Sequence, residues 1–168
     1  MVKGLYLSGV QYESLADGIG FRTTIFVSGC KHNCPGCHSP KTHSFTAGKE
    51  CTDELINEIK EEIELRSQML YGITFSGGDP FYSPEKVIDL IHQLGVENHH
   101  IWMYSGFTVE EILQDPKKTE LLSYAEVLVD GPFIESERNV SLRFRGSENQ
   151  RLIDAQKSIL LGTAIQWH

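Results

Sequence analysis

The chain has 168 residues, with 23 acidic against 15 basic side chains and a formal charge of −8. That length suits one continuous hydrophobic core and is short for two, while the acidic balance argues against broad binding along a nucleic-acid backbone. No apolar run approaches the ~18 residues of a membrane span, and the N-terminal MVKGLYLSGVQYESLADG lacks the apolar region of a signal peptide, so a cytoplasmic protein with no membrane and no nucleic-acid partner is expected.

After a short lead-in, FRTTIFVS (21–28) is a β-branched and aromatic run ending at Gly29, the pattern of a buried strand. The cysteine-rich run SGCKHNCPGCHSP leaves its end. Thr52 is an N-cap candidate with Asp53 and Glu54 at the positive end of a helix dipole, and Ile56, Ile59, Ile63 and Leu70 recur near helical spacing, which predicts a helix over 52–69. GITF (72–75) reads as a strand. Ser83 and Pro84 open the next helix, with Val87, Ile91 and Leu94 as its apolar face and Gly95 as its stop. HIWMY (100–104) is a further strand. Thr108 and Glu111 form a capping-box pair for a short helix that Pro116 breaks, a second helical piece covers about 118–124, and EVLVD (126–130) is another strand. The polar stretch LRFRGSENQRLID (142–154) is not explained by this alternation.

Strands separated by helix-length segments indicate parallel βα units, whose strand-to-helix loops share one edge of the sheet. SGC, SGGDP (76–80), YSGF (104–107) and DGPF (130–133) each follow a strand. Ligands in parallel α/β folds bind at that edge, so these loops fit one shared pocket.

Cys30, Cys34 and Cys37 put three thiols within eight residues, with no fourth nearby. In a reducing compartment, clustered cysteines point to metal or catalysis rather than disulfides. A cubane [4Fe-4S] cluster normally takes four protein sulfurs, so three leave one iron open to a substrate or cofactor. Zinc is the alternative: with Cys51 the pattern is C-x3-C-x2-C-x13-C, and His32, His38 or His43 can replace a thiolate. Structural zinc usually pairs two C-x2-C knuckles, whereas here three ligands share a loop bent by Pro35 and Gly36.

The C-x3-C-x2-C spacing resembles the signature of the radical S-adenosylmethionine superfamily. More narrowly, DGIGFRTTIFVSGC, SGGDP, WMYSGF, VDGPF and RGSENQR, in that order, are similar to the activases of anaerobic ribonucleoside-triphosphate reductase, and the match covers most of the chain. Together with the βα alternation, the resemblance implies an α/β fold: a single domain over 1–168, built as a partial (β/α) barrel with a mostly parallel sheet. It implies a [4Fe-4S] cluster on Cys30, Cys34 and Cys37, with S-adenosyl-L-methionine chelating the fourth iron. One electron from a flavodoxin- or ferredoxin-type donor would cleave that cofactor to methionine and a 5′-deoxyadenosyl radical. The radical would take hydrogen from a glycine of the large subunit of the anaerobic ribonucleotide reductase.

The same resemblance implies cofactor contacts at Ser76, Gly77, Gly78 and Asp79, with Asp79 taking the methionine ammonium. Further contacts are implied at Gly36 and His38, and at Tyr104, Ser105 and Asp130. Many members carry an aromatic residue just before the third cysteine; this chain has Gly36 there, and His38 supplies a ring directly after. No side-chain acid or base is expected, because the cofactors carry the chemistry. Another radical S-adenosylmethionine enzyme, acting on a small molecule or another glycyl-radical enzyme, is the runner-up, and a zinc-binding interaction module is the non-enzyme reading. Trp102 and Met103 read as strand packing, and Cys51 as a small semi-buried thiol. Arg143, Arg145 and Arg151 read equally as a solvated face or a docking surface, and His92, His99, His100 and His168 are assigned no role.

Overall fold

The computed structural model describes residues 1–168. Seven strands, β1 (Val2–Ser14), β2 (Arg22–Val27), β3 (Lys49–Cys51), β4 (Gly72–Gly77), β5 (His100–Tyr104), β6 (Val127–Asp130) and β7 (Arg151–Asp154), form one sheet in the order β3-β1-β2-β4-β5-β6-β7. The pairs β2–β4, β4–β5 and β5–β6 are parallel, as the βα alternation requires. The pairs β1–β2, β1–β3 and β6–β7 are antiparallel. The sheet is therefore mixed rather than mostly parallel, and its terminal strands β3 and β7 do not pair with each other, β7 being covered on its outer side by a bridge from Ile153 to Gln166, so the strand order closes no barrel.

Both antiparallel flanks come from segments whose patterning is irregular. The N-terminal lead-in is a strand of 13 residues. Its buried residues Val2, Leu5 and Leu7 are spaced by three and then two, because the register shifts around Gly4, which sits at φ 74°. A bulge of this kind inserts a residue and breaks the period-2 signal. At the other flank, the tail of LRFRGSENQRLID pairs Arg151–Asp154 with β6 and places only Ile153 in the core.

Five helices accompany the strands: α1 (Asp53–Leu65), α2 (Pro84–Leu94), α3 (Val109–Leu113), α4 (Pro116–Leu122) and α5 (Ala155–Leu161). Thr52 caps α1 by accepting from the Leu55 amide, and Ile56, Ile59 and Ile63 are its buried stripe. The helix expected over 52–69 stops at Leu65, where Arg66 folds its guanidinium back onto the Glu62 carbonyl at 2.9 Å and closes the last turn. Helix α2 ends in left-handed Gly95, and the Thr108–Glu111 capping box is present in full at α3. Pro116 both ends that segment and serves as the first residue of α4, with Asp115 as N-cap.

Ile25, Val27, Ile73, Phe75, Ile101, Met103 and Leu128 project into the main core of 27 buried residues, together with the apolar stripes of α1 and α2. Each such side chain contributes about 1.5–3 kcal/mol when fully buried. A smaller cluster of Trp102, Val127 and Val129 lies on the opposite face, with Tyr104, Phe144 and Trp167 packed against it. No helix is long and apolar enough to cross a membrane.

Candidate functional site

The loops that follow β2, β4, β5 and β6 meet around a cavity of 380 Å³ at the carboxyl ends of the parallel strands. Cys30, Cys34 and Cys37 line it, as do Ser76, Gly77, Gly78, Tyr104, Ser105 and Gly131. Main-chain bonds join the first two loops: Asp79 N donates to Gly29 O at 2.9 Å, and Gly29 N donates to Thr42 O at 2.7 Å. Gly78 sits in this seam. A Cβ there would stand 2.7 Å from Gly29 O and 2.8 Å from Thr42 O, so the seam itself requires glycine.

The three cysteine thiols are free and half-buried. Cys37 N donates to Cys34 O at 3.1 Å, and Cys37 Sγ accepts from Ser39 N at 3.4 Å, so the second and third cysteines share one turn. Burial pushes the Cys30 thiol up to about 11, and the His32 backbone amide opposes that shift. No three His, Cys, Asp or Glu side chains converge on a single-ion shell. Cys51 lies elsewhere, fully buried in the main core where burial pushes its thiol up to about 12. The C-x3-C-x2-C-x13-C zinc set is thus not assembled, and the semi-buried thiol expected at Cys51 is a core residue. Three thiols on one cavity wall, each able to take its own iron, suit a cubane cluster better than a tetrahedral ion.

Three residues expected to touch the cofactor do not line the cavity. Gly36 lies beside the Glu135 carboxylate, which a Cβ would meet at 2.9 Å. Asp130, the last residue of β6, is buried and accepts from Val109 N at 2.7 Å and from Arg151 Nε at 3.0 Å. Arg151 also holds Glu110, and both hydrogen-bonded carboxylates raise its pKa. Asp79 is 1 % exposed, and its carboxylate already accepts from Phe81 N, Gly106 N and Ser105 Oγ, each at 2.9 Å, and meets His32 Nε2 at 2.6 Å. A carboxylate offers about four lone-pair sites, and these partners take them. An incoming ammonium would have to displace His32.

His38 lines the cavity with its ring edge-on to Phe133 at 5.2 Å. Tyr104 donates to Phe144 O at 2.7 Å, and burial raises its pKa further than Asp17 does. The far wall is the segment that the βα pattern left unexplained. Arg145 donates to Gln150 O at 2.6 Å, and Gln150 Nε2 donates to Gly131 O at 3.1 Å, so RGSENQR folds on itself and closes the pocket beside β6. Arg145 Nε is buried without a protein partner. Arg145 is therefore a cavity residue, Arg151 a structural ion pair, and Arg143 stacks on Phe144 at 4.7 Å.

Residues 16–153 match the family model described as a 4Fe-4S single cluster domain. The anaerobic ribonucleoside-triphosphate reductase-activating protein of Vibrio cholerae serotype O1 is 36% identical over 140 residues, covering 81% of this chain and 89% of that protein. The chain belongs to this family of reductase-activating proteins. Its counterpart in Escherichia coli strain K12 is 34% identical over 145 residues, covering 81% and 90%, and that of Enterobacteria phage T4 is 32% identical over 142 residues, covering 81% and 85%.

Sequence reasoning gave no cavity role to several residues of this family member that line the cavity: Asp17, His32, Phe133, Phe144 and Arg145, the last read as a solvated face or a docking surface. Asp17 and Phe133 sit inside the quoted motifs DGIGFR and VDGPF, which is the signal that marks them. His32 carried only a zinc-ligand reading, and nothing in the spacing reveals that its partner is Asp79.

Proposed function

We propose that Cys30, Cys34 and Cys37 hold the [4Fe-4S] cluster through three irons, and that S-adenosylmethionine occupies the adjoining cavity on the fourth. The protein is an activase of the anaerobic ribonucleoside-triphosphate reductase. When bound, the cluster and S-adenosylmethionine would supply the one-electron chemistry that generates a radical on a glycine of the reductase large subunit. The observation that carries this reading is the three half-buried thiols on the wall of a cavity built by four strand-end loops.

The chain's own residues position and enclose. Ser76, Gly77 and Gly78 present main chain to the methionine end of the cofactor, while His38 and Phe133 offer ring surface beside the cavity. Tyr104 and Ser105 form the floor; both hydroxyls are already committed as donors, to Phe144 O and Asp79, so they give shape more than hydrogen bonds. Arg145, with its unpartnered Nε, supplies a cationic group for a carboxylate. The mouth is left to the protein substrate, whose docking would keep water and stray hydrogen donors from the reacting carbon. A flavodoxin- or ferredoxin-type carrier is the electron source in this reading.

The test is anaerobic reconstitution with iron and sulfide, then mixing with reductant, S-adenosylmethionine and the reductase. The expected result is 5′-deoxyadenosine together with a glycyl-radical doublet in the electron paramagnetic resonance spectrum, lost when the target glycine becomes alanine. Turnover of a small molecule with no doublet on the reductase would replace this function by that of another radical S-adenosylmethionine enzyme. One zinc per chain without iron or sulfide would overturn the cluster itself.

A further inference from the structure

His32 stands in the middle of the arm between Cys30 and Cys34, and that arm has almost no main-chain support. The amides of residues 31–36 make no backbone–backbone hydrogen bond, and Asn33 sits at φ 51°. Cys30 is anchored on one side, through its amide to His43 O at 3.1 Å, and Cys34 only through the turn to Cys37. A loop held this loosely does not fix three thiol positions by itself.

The His32 side chain supplies the missing support. Its Nε2 meets Asp79 Oδ2 at 2.6 Å, and its ring packs edge-on against Phe107 at 4.5 Å and tilted against Tyr82 at 5.0 Å. Asp79 is a rigid acceptor because loops from two other strands hold it: Phe81 N beyond β4, and Ser105 Oγ and Gly106 N beyond β5. Room for the ring is reserved at Gly106, where a Cβ would come within 2.5 Å of His32 Cδ2. Its neighbours Lys31 and Asn33 are exposed.

We propose that His32 is a positioning residue: clasped by Asp79, Tyr82 and Phe107, it bolts the Cys30–Cys34 arm to the ends of β4 and β5 and so sets the thiols before a cluster is present. The clasp makes Asp79 part of the cysteine loop's scaffold. It rests on the cluster reading for its purpose and on the contacts of His32 with Asp79, Tyr82 and Phe107 for its evidence.

The experiment is pulsed iodoacetamide labelling of the metal-free, reduced protein, read cysteine by cysteine by mass spectrometry. In His32→Ala and Asp79→Asn, Cys30 and Cys34 should label roughly tenfold faster than in the wild type, the loss of one hydrogen bond to a charged group. Cys51, buried in the core, should stay protected and so reports that the fold is intact. The double variant should label no faster than either single one, because the two side chains act as one unit. His32→Gln, which keeps a donor for Asp79, should restore most of the protection, and His32→Phe, which keeps the ring without the donor, should not. If Cys51 becomes labelled in Asp79→Asn, the His32→Gln and His32→Phe pair decides. Unchanged Cys30 and Cys34 rates in His32→Ala with Cys51 protected would overturn the clasp. A wild-type protein that takes up no iron and sulfide would instead overturn the cluster reading and leave these labelling rates as they are.

Discussion

On the outer face of the four parallel strands, Ile25, Val27, Ile73, Phe75, Ile101, Met103 and Leu128 run into one apolar cluster under the helices. On the inner face the same strands present Arg22, Thr24, Thr74, Ser76, Trp102 and Tyr104. Parallel strands covered on both sides usually read as continuous apolar runs. Here the inner face joins a polar stretch, Arg22, Thr24 and Thr74, to the apolar cluster of Trp102, Val127 and Val129, and Arg22, Thr24, Thr74 and Trp102 are each 0% exposed. Its polarity therefore serves internal wiring rather than solvent. Arg22 donates to Thr74 Oγ1, Ile19 O, Ile73 O and His100 O at 2.8–2.9 Å, and Thr74 Oγ1 donates to Asp17 O at the cavity wall. The outer face gives stability by area. The inner face spends it on holding the lead-in segment, and with it the cavity, in one arrangement.

The cysteines test this division most severely. Cys34→Ala should lose the cluster and all cleavage of S-adenosylmethionine, since no nearby thiol replaces the lost ligand. Cys51→Ala should keep full iron and sulfide and lower stability by about 1 kcal/mol, the loss of one small buried group. Iron and sulfide per chain and a denaturation midpoint measure both, and a Cys51→Ala protein without a cluster would erase the distinction. Next in size is Arg22→Met, which keeps the stem and removes every donor. It takes the Arg22 donors from Thr74 Oγ1 and from the Ile19, Ile73 and His100 carbonyls, and should cost about 3–5 kcal/mol, against about 1 kcal/mol for Ile73→Val on the other face. Equal midpoints for the two variants would mean that the inner face's polarity is incidental.

Much of this was legible. The outer-face alternation, the caps at Thr52 and Thr108, and the strand-end glycine loops all obey local rules, and those rules placed the parallel core and the cavity edge correctly. Both antiparallel flanks escaped, because a bulged strand such as β1 carries no clean period and β7 contributes only Ile153 to the core. The cavity-lining cysteines and the glycines Gly77 and Gly78 were readable from motif and spacing. Residues defined by side-chain partners were not: Asp79 belongs to His32, which lies 47 positions away, and Asp130 to Arg151, which lies 21 away. A sequence offers several charged or polar mates for each of these carboxylates, and only the packing of the loops chooses one.

Gly78 sharpens the contrast between main-chain and side-chain roles. Because its Cβ position is filled by Gly29 O and Thr42 O, Gly78→Ala should destabilise the metal-free protein by about 1–3 kcal/mol. The expected readout is a lower denaturation midpoint before any cofactor is added. An unchanged midpoint combined with weaker S-adenosylmethionine binding would move the glycine's role from the seam to the ligand.

The smallest expected effect lies at the base of the inner face, where His100 Nδ1 stands 3.3 Å from Arg22 Nη1 and the imidazole packs edge-on against Tyr71 at 5.0 Å. Burial first, and the Arg22 charge second, lower the His100 pKa below its ordinary 6.5. The neutral ring can accept from Arg22, whereas the protonated ring would set two cations against each other. Between the folded pKa and about 6.5, the unfolded chain binds the extra proton and the native one does not, so stability rises with pH across that window. This contribution is complete above about 6.5 and is lost progressively as the solution is acidified. His100→Asn keeps a neutral acceptor on the same stem and cannot titrate. Urea midpoints taken between about pH 7.5 and pH 5.5 should therefore fall less steeply in His100→Asn than in the wild type. Parallel slopes would show that Arg22 and His100 are not coupled, and that the inner face depends on the carbonyls around Arg22 alone.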